Sequence, residues 1–533
     1  MRGALLPFLA IASLAHANPP QKPGAVEGVV LNSVSGAPIK KAVVTLRSLL
    51  SRNSGYQALS DLAGRFRFDN VTPGDYGLWA EAQGYVRNAG RFFAPSQAVS
   101  VEEEKTIKDF SIRLEPLGTI SGRVLDENGD PVPGAAADGL RYSYSREGAR
   151  LAHRAMATTN DRGEYRLFDL EPGRWYLRVT KNMVQPSAKG RVHSVLAETN
   201  FLVTFYPGVE REAEAGSIEV APGAEVSQVD VHLRKTRVYH IRGKVFDAGG
   251  QAAAKARVRI EGVGYVETRP DGTFDVLGIP PGAYRTAGEI RGDHLLVSAM
   301  QQVTIEDRDV NGVLLRLEPA ATVRGTAQVE GDPARKLQLA RVVLEPLGGM
   351  GEEARGQIQS DGTFAIPDVA PQTYRVMADR RPSGLYLKSM RLGDQDVSAD
   401  GRIDVTPGGG VLALVFGNDS GTVEGTVQSA GPGPAPVIVT LAPAGPLAGR
   451  CDLVQTVDTQ EPGASFRLDN VAPGDYKVFA WELVDGEMAE SPEFRNLFES
   501  KVAAITVRAG EHQTARLTTI TAAEIAEARK KLR

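Results

Sequence analysis

Few side chains in this chain stand in patterns that could do chemistry. Its histidines beyond the N-terminal segment are His153, His193, His232, His240, His294 and His512. None has a glutamate or second histidine at zinc-site spacing, so a hydrolytic zinc centre is not expected. No Gly-x-Ser-x-Gly elbow and no phosphate-cradling glycine loop occurs either. Cys451 is the only cysteine, which excludes an intrachain disulfide and stands outside any thiol-protease signature. The expectation is a protein that is not an enzyme, with no catalytic residues, no metal and no cofactor.

Three weaker patterns remain. Asp126-Glu127-Asn128-Gly129-Asp130 alternates oxygen donors like a calcium loop. It lacks the sixth-position glycine and twelfth-position glutamate, and a hairpin turn accounts for it better. Arg291-Gly292-Asp293 matches an integrin-binding tripeptide but reads as a polar loop. The third pattern is aromatic. Trp79, Trp175 and Trp481 each follow a Pro-Gly corner on what reads as a strand. Trp175 takes an inward position, whereas Trp79 and Trp481 fall one step off it and point outward. Outward tryptophans on a sheet are a platform for stacking sugar rings, unless a neighbouring unit or loop covers them. Trp79, Trp481 and Tyr85 are therefore the candidate carbohydrate-stacking residues.

The elements that would hold these residues repeat five times. The clearest copies run Phe66 to Tyr76 and Phe466 to Tyr476, and the others Tyr165 to Trp175, Phe274 to Tyr284 and Phe364 to Tyr374. Each begins with an aromatic seven residues before a proline and ends with another three after it. Residues two apart, such as Phe66 and Phe68, share one face of a strand. Pro-Gly then makes a corner, and the next strand alternates again from its aromatic, as in Tyr76, Leu78, Ala80. That pattern predicts that Tyr476 is buried and that its hydroxyl reaches a backbone partner near the corner.

Upstream of every copy stands a strand with an early glycine: Gly28, Gly122, Gly243, Gly325 or Gly425. Downstream stands a closing strand, for instance Phe110 to Leu114. The units run 24–116, 117–235, 236–319, 320–418 and 419–520, each near the roughly 100 residues of a compact domain. The second carries an insertion near Lys181–Val220. The fifth carries an acidic segment, Glu482–Glu499, with a short helix expected after Ser491-Pro492-Glu493. Residues 521–533 read as a terminal helix with Thr521 as N-cap and Glu524 as its capping-box partner. Each unit should bury its own core, and the short linkers favour a semi-rigid rod.

Residues 1–17 combine Arg2, an apolar run and Ala15-His16-Ala17, which predicts a secretory signal peptide cleaved before Asn18. No cysteine follows to take a lipid, and no stretch is long and apolar enough for a membrane helix. A net charge of −4 implies no attraction to nucleic acid or anionic membrane. Five sandwiches use up the length, leaving no room for a catalytic domain or an outer-membrane barrel.

The glycine-bearing opening strand, the Asp130-Pro131-Val132-Pro133-Gly134-Ala135 turn and the Pro-Gly-x-Tyr ending resemble the carboxypeptidase regulatory-like domain. The resemblance covers nearly all of the chain after the leader. It implies transthyretin-like, seven-stranded antiparallel β-sandwiches, close to carbohydrate-binding-like folds and to the B-type repeats of adhesins. No Lys/Asn/acid trio for an internal isopeptide bond can be placed. The expected protein is thus an all-β tandem array of five sandwiches with a short C-terminal helix. It is expected at the bacterial cell surface, outside the cell or in the periplasm, as a spacer or interaction module. Alternatives are polysaccharide binding through the outward aromatics, and an accessory role in an envelope peptidase or transport complex.

Overall fold

The computed structural model describes residues 22–48, 55–86, 97–146, 148–181, 199–337, 339–347, 352–430, 437–459, 465–482, 484, 486–529 and 531–532. The expected leader, 1–17, lies outside them. Strands dominate, with three short α-helices among the described residues. None of these helices is long and apolar enough to cross a membrane.

The first unit shows the plan. Arg65–Val71, Gly24–Asn32 and Thr106–Leu114 form one sheet in that order. Gly55–Leu59, Val43–Ser48, Gly74–Glu81 and Gln97–Val101 form the other. The fifth unit repeats both sheets strand for strand, with Ser465–Val471, Gly421–Gln428 and His512–Thr518 facing Gln455–Thr459, Val437–Pro443, Gly474–Glu482 and Ala503–Val507. Every unit has its own buried cluster between its sheets, and each contains the leading motif aromatic. One pairing departs from the antiparallel expectation. In every unit the opening strand runs antiparallel to the motif strand but parallel to the closing strand. Parallel neighbours need a long crossover, and here the rest of the unit supplies it.

That parallel pairing explains the early glycine. A Cβ on Gly28, Gly122, Gly243, Gly325 or Gly425 would sit 2.5, 2.0, 2.1, 2.1 or 1.8 Å from a carbonyl oxygen of the closing strand or, at Gly122, of Val229 just before it. Only hydrogen fits there. A second requirement lies three residues before each corner proline. Asn70, Asp169, Gly278, Asp368 and Asn470 all have left-handed backbones, with φ of 58°, 56°, 80°, 57° and 61°. Asn, Asp and Gly are the residues that tolerate this region, and the pairing register shifts beside each one.

The corner aromatic reaches the backbone in all five units, as expected of Tyr476, and it is buried in all but the third, where Tyr284 is half-buried. Tyr76, Tyr284, Tyr374 and Tyr476 donate their hydroxyls to the carbonyls of Thr72, Pro280, Ala370 and Ala472, at 2.8, 2.9, 3.1 and 2.8 Å. Trp175 makes the same reach with its indole N–H, 2.8 Å from the Glu171 carbonyl. In the fourth unit Gln372 replaces the corner glycine, and its amide donates to the Tyr374 hydroxyl at 2.9 Å. Burial pushes the four phenols above their ordinary pKa. Tyr476→Phe should therefore cost about 0.5–1.5 kcal/mol, the net worth of one hydrogen bond. Urea unfolding checks this, and an unchanged midpoint would mean the bond contributes nothing.

The chain divides into two compact parts, one ending at Pro116 and one beginning at Leu117. Within the second, the rod expectation fails. The second unit meets the third through Asn200 and the Gly278 carbonyl. The third meets the fourth where Leu295 N–H donates to Asp368 (3.0 Å). The fourth meets the fifth through Arg450, which donates to the Leu387 carbonyl at 2.6 Å. The fifth then returns to the second. Arg146 forms a two-pronged pair with Glu490 (2.5 and 2.7 Å), and Arg174 donates to the Leu532 carbonyl (2.5 Å). Four units thus form a closed circuit, because the ends of the series carry complementary side chains.

The two helical expectations hold. Ser491 caps Pro492–Asn496, and Thr521 and Glu524 bond reciprocally at the start of Ala522–Arg529. From the second unit's insertion, Phe205 packs beside Leu140 and Tyr176.

Candidate functional site

Strand parity builds two faces on the four-stranded sheet of the first unit. Val44, Leu46, Tyr76, Leu78 and Ala80 turn into the core. Their neighbours turn out, and the register sets them in rows. Thr45 lies between Gln57 and Trp79, Val43 between Leu59 and Glu81, and Arg47 between two glycines, Gly55 and Gly77. Trp79 is half-buried, and the Arg47 guanidinium lies over its indole at 5.5 Å from the ring centroid. Gln57 donates to Thr45 at 3.4 Å, and Leu59 is exposed. A half-buried indole with a guanidinium against it and Thr45 beside it suits the stacked, hydroxyl-bonded mode in which a sugar is held.

The other two aromatic candidates do not join it. Tyr85 packs against the first unit's core and accepts from the Asn32 amide at 3.3 Å, so its ring is spent on structure. Trp481 corrects the expectation of an exposed platform. It does leave the inward row of its own sheet, since Tyr476, Val478 and Ala480 hold the core. Yet it is 0% exposed, enclosed by Phe479, Phe494, Phe498, Ile520 and Ile525, with Tyr144 of the second unit in the same cluster. The acidic segment and terminal helix fold over this outward face of the fifth unit.

Residues 25–114 and 119–234 each match the family model described as the carboxypeptidase regulatory-like domain. These two units are carboxypeptidase regulatory-like domains. No curated protein matches the chain significantly. Among solved structures it is similar to the TIE protein of Bacillus anthracis, at 13% identity over 74% of this chain and 73% of that one, with a TM-score of 0.17. The minor pilin GBS52 of Streptococcus agalactiae is 13% identical over 40% and 96%, with a TM-score of 0.24. Two B repeat units of the Staphylococcus aureus collagen-binding protein are 12% identical over 75% and 100%, with a TM-score of 0.13. Overlap this low says nothing about what this chain binds.

In the regulatory-like domains and the units after them, the other chemical candidates serve the fold. Asp126 accepts from the backbone of Asn128 and Asp130 (2.9 and 3.0 Å) and from Lys235 Nζ (2.9 Å). The lysine lowers that carboxyl below its usual range and takes a cation's place beside it. Arg291, the exposed last residue of the strand Gly282–Arg291, pairs with Glu352 at 3.4 Å. His240 meets Asp275 at 2.7 Å, inside a network with Arg242 and Asp309. Cys451 is half-buried, and burial pushes its thiol up, away from the reactive thiolate. Among the described residues no three His, Cys, Asp or Glu converge as metal ligands.

Sequence reasoning missed Arg47 and Thr45 as neighbours of Trp79. Alternation along Val43–Ser48 turns Thr45 and Arg47 outward, but only the cross-strand register sets them beside the tryptophan.

Proposed function

We propose that this protein is a non-enzymatic, exported array of β-sandwich modules that acts as an interaction scaffold in or outside the cell envelope. We further propose that its first regulatory-like domain binds polysaccharide on the Trp79 face. One observation supports this reading above the others. The outward tryptophan is enclosed in the fifth unit, whereas Trp79 in the first is half-buried, with the Arg47 guanidinium against its ring. The signal-peptide pattern of residues 1–17 supports export.

The test is retention of the purified chain in gels cast with soluble polysaccharides, followed by Trp79→Ala on those that bind. The substitution should weaken binding about tenfold, or ~1.4 kcal/mol. Because Trp79 lies outside the core, the melting temperature should move little. Equal retention of the variant would remove the polysaccharide reading. Co-purification with an envelope peptidase or transporter, without glycan binding, would favour an accessory role.

A further inference from the structure

We propose that the outer edge of Gly148–Thr158, in the second unit, is a strand-addition site for an extended, acidic segment of a partner protein. This strand ends its sheet, in the order Gly148–Thr158, Ala136–Ser145, Gly173–Thr180, Thr204–Phe205. It is 11 residues long, whereas its counterparts in the other four units have 5, 4, 4 and 5. Only Ala136–Ser145 pairs with it, so among the described residues no strand covers its other row of backbone donors and acceptors.

Sheet proteins normally shorten or cover such an edge, since it templates pairing with another chain. This one is long and, among the described residues, paired with a strand on one side only. A register shift between His153 and Ala155 bends it but leaves a paired run on each side. Closure of the circuit needs only its near end, where Gly148 lies against Glu493 and Arg146 holds Glu490. That anchoring also holds the strand ready, which lowers the ordering cost of a docking segment.

Charge chooses the occupant. Arg150, His153 and Arg154 are exposed along the edge, and no carboxylate occurs between 148 and 158. Pairing with a second copy of the same strand would set like charges together, which is unfavourable. A strand that alternates acidic and apolar residues meets the arginines with its carboxylates, and Leu151 and Met156 (62% exposed) with its apolar side.

The experiment uses the full chain and a fluorescent decapeptide of alternating glutamate and valine, read by anisotropy. A second peptide carries N-methyl groups along one edge, which removes strand donors and keeps the charge. Saturable binding is expected, with amide exchange slowed across 149–157. At least tenfold weakening is expected for the N-methylated peptide, and for Arg150→Glu/Arg154→Glu with an unchanged melting curve. Equal binding of both peptides would reduce the contact to charge alone and overturn strand addition. So would failure of the unmodified peptide to bind, or self-association of the free chain that the double substitution abolishes.

Discussion

Trp481→Ala is expected to destabilise residues 117–533 by about 3–5 kcal/mol, the usual cost of emptying a buried tryptophan site. The ring stacks on Phe479 at 4.9 Å and 10°, and touches Phe494 and Phe498 at centroid distances of 5.0 and 5.2 Å. Its N–H donates to Thr440 at 3.1 Å. Alanine leaves a cavity among three aromatics and strips the Thr440 hydroxyl of its donor. The cluster also holds Tyr144, so the damage reaches the second unit. Self-contained beads would confine the loss to residues 419–520. The closed circuit instead predicts that the calorimetric transition of 117–533 moves as a whole. Amide exchange in 136–146 should quicken with it. A separate early transition worth one unit would show that closure adds no cooperativity.

Arg450→Met is expected to cost a similar ~3–5 kcal/mol, because it breaks a buried ion pair on one side only. Arg450 is 1% exposed, and the side chain of Asp452 only 7%. Two bonds of 2.7 Å join them, and the same guanidinium donates to the carbonyls of Leu387 and Ser398 at 2.6 and 3.2 Å. Methionine fills much of the volume but leaves the Asp452 charge and both carbonyls without a donor. The double variant Arg450→Met/Asp452→Leu should regain part of the loss, since the stranded charge is then gone. Urea unfolding of the two variants decides it. A double variant no more stable than the single one would place the whole cost in the lost carbonyl bonds that tie the fourth unit to the fifth.

Much of each sandwich is local, and local features can be read directly. Alternation at period two set the inward rows, the corner aromatics reach back four residues, and the Thr521–Glu524 cap spans three. The five left-handed positions were also in plain view as Asn, Asp, Gly, Asp and Asn. Their meaning was missed because the bulge they allow exists only once two strands pair. Trp481 marks where sequence reasoning stops. Parity tells which side of its own sheet a ring takes, and it placed Trp481 outside the core correctly. What covers that side is settled elsewhere, by Phe494 and Ile525 downstream and by Tyr144 more than three hundred residues upstream. Arg450 sits where two units meet, bonded to Asp452 in its own unit and to the Leu387 and Ser398 carbonyls in the fourth. The same holds for Trp79, whose neighbours Arg47 and Thr45 depend on the register between two strands. Period and spacing, acting through backbone geometry, determined the strands, the corners and five separate cores. Only tertiary packing decided which outward faces stay open and that units two to five close on one another, because those contacts join residues with no fixed spacing along the chain.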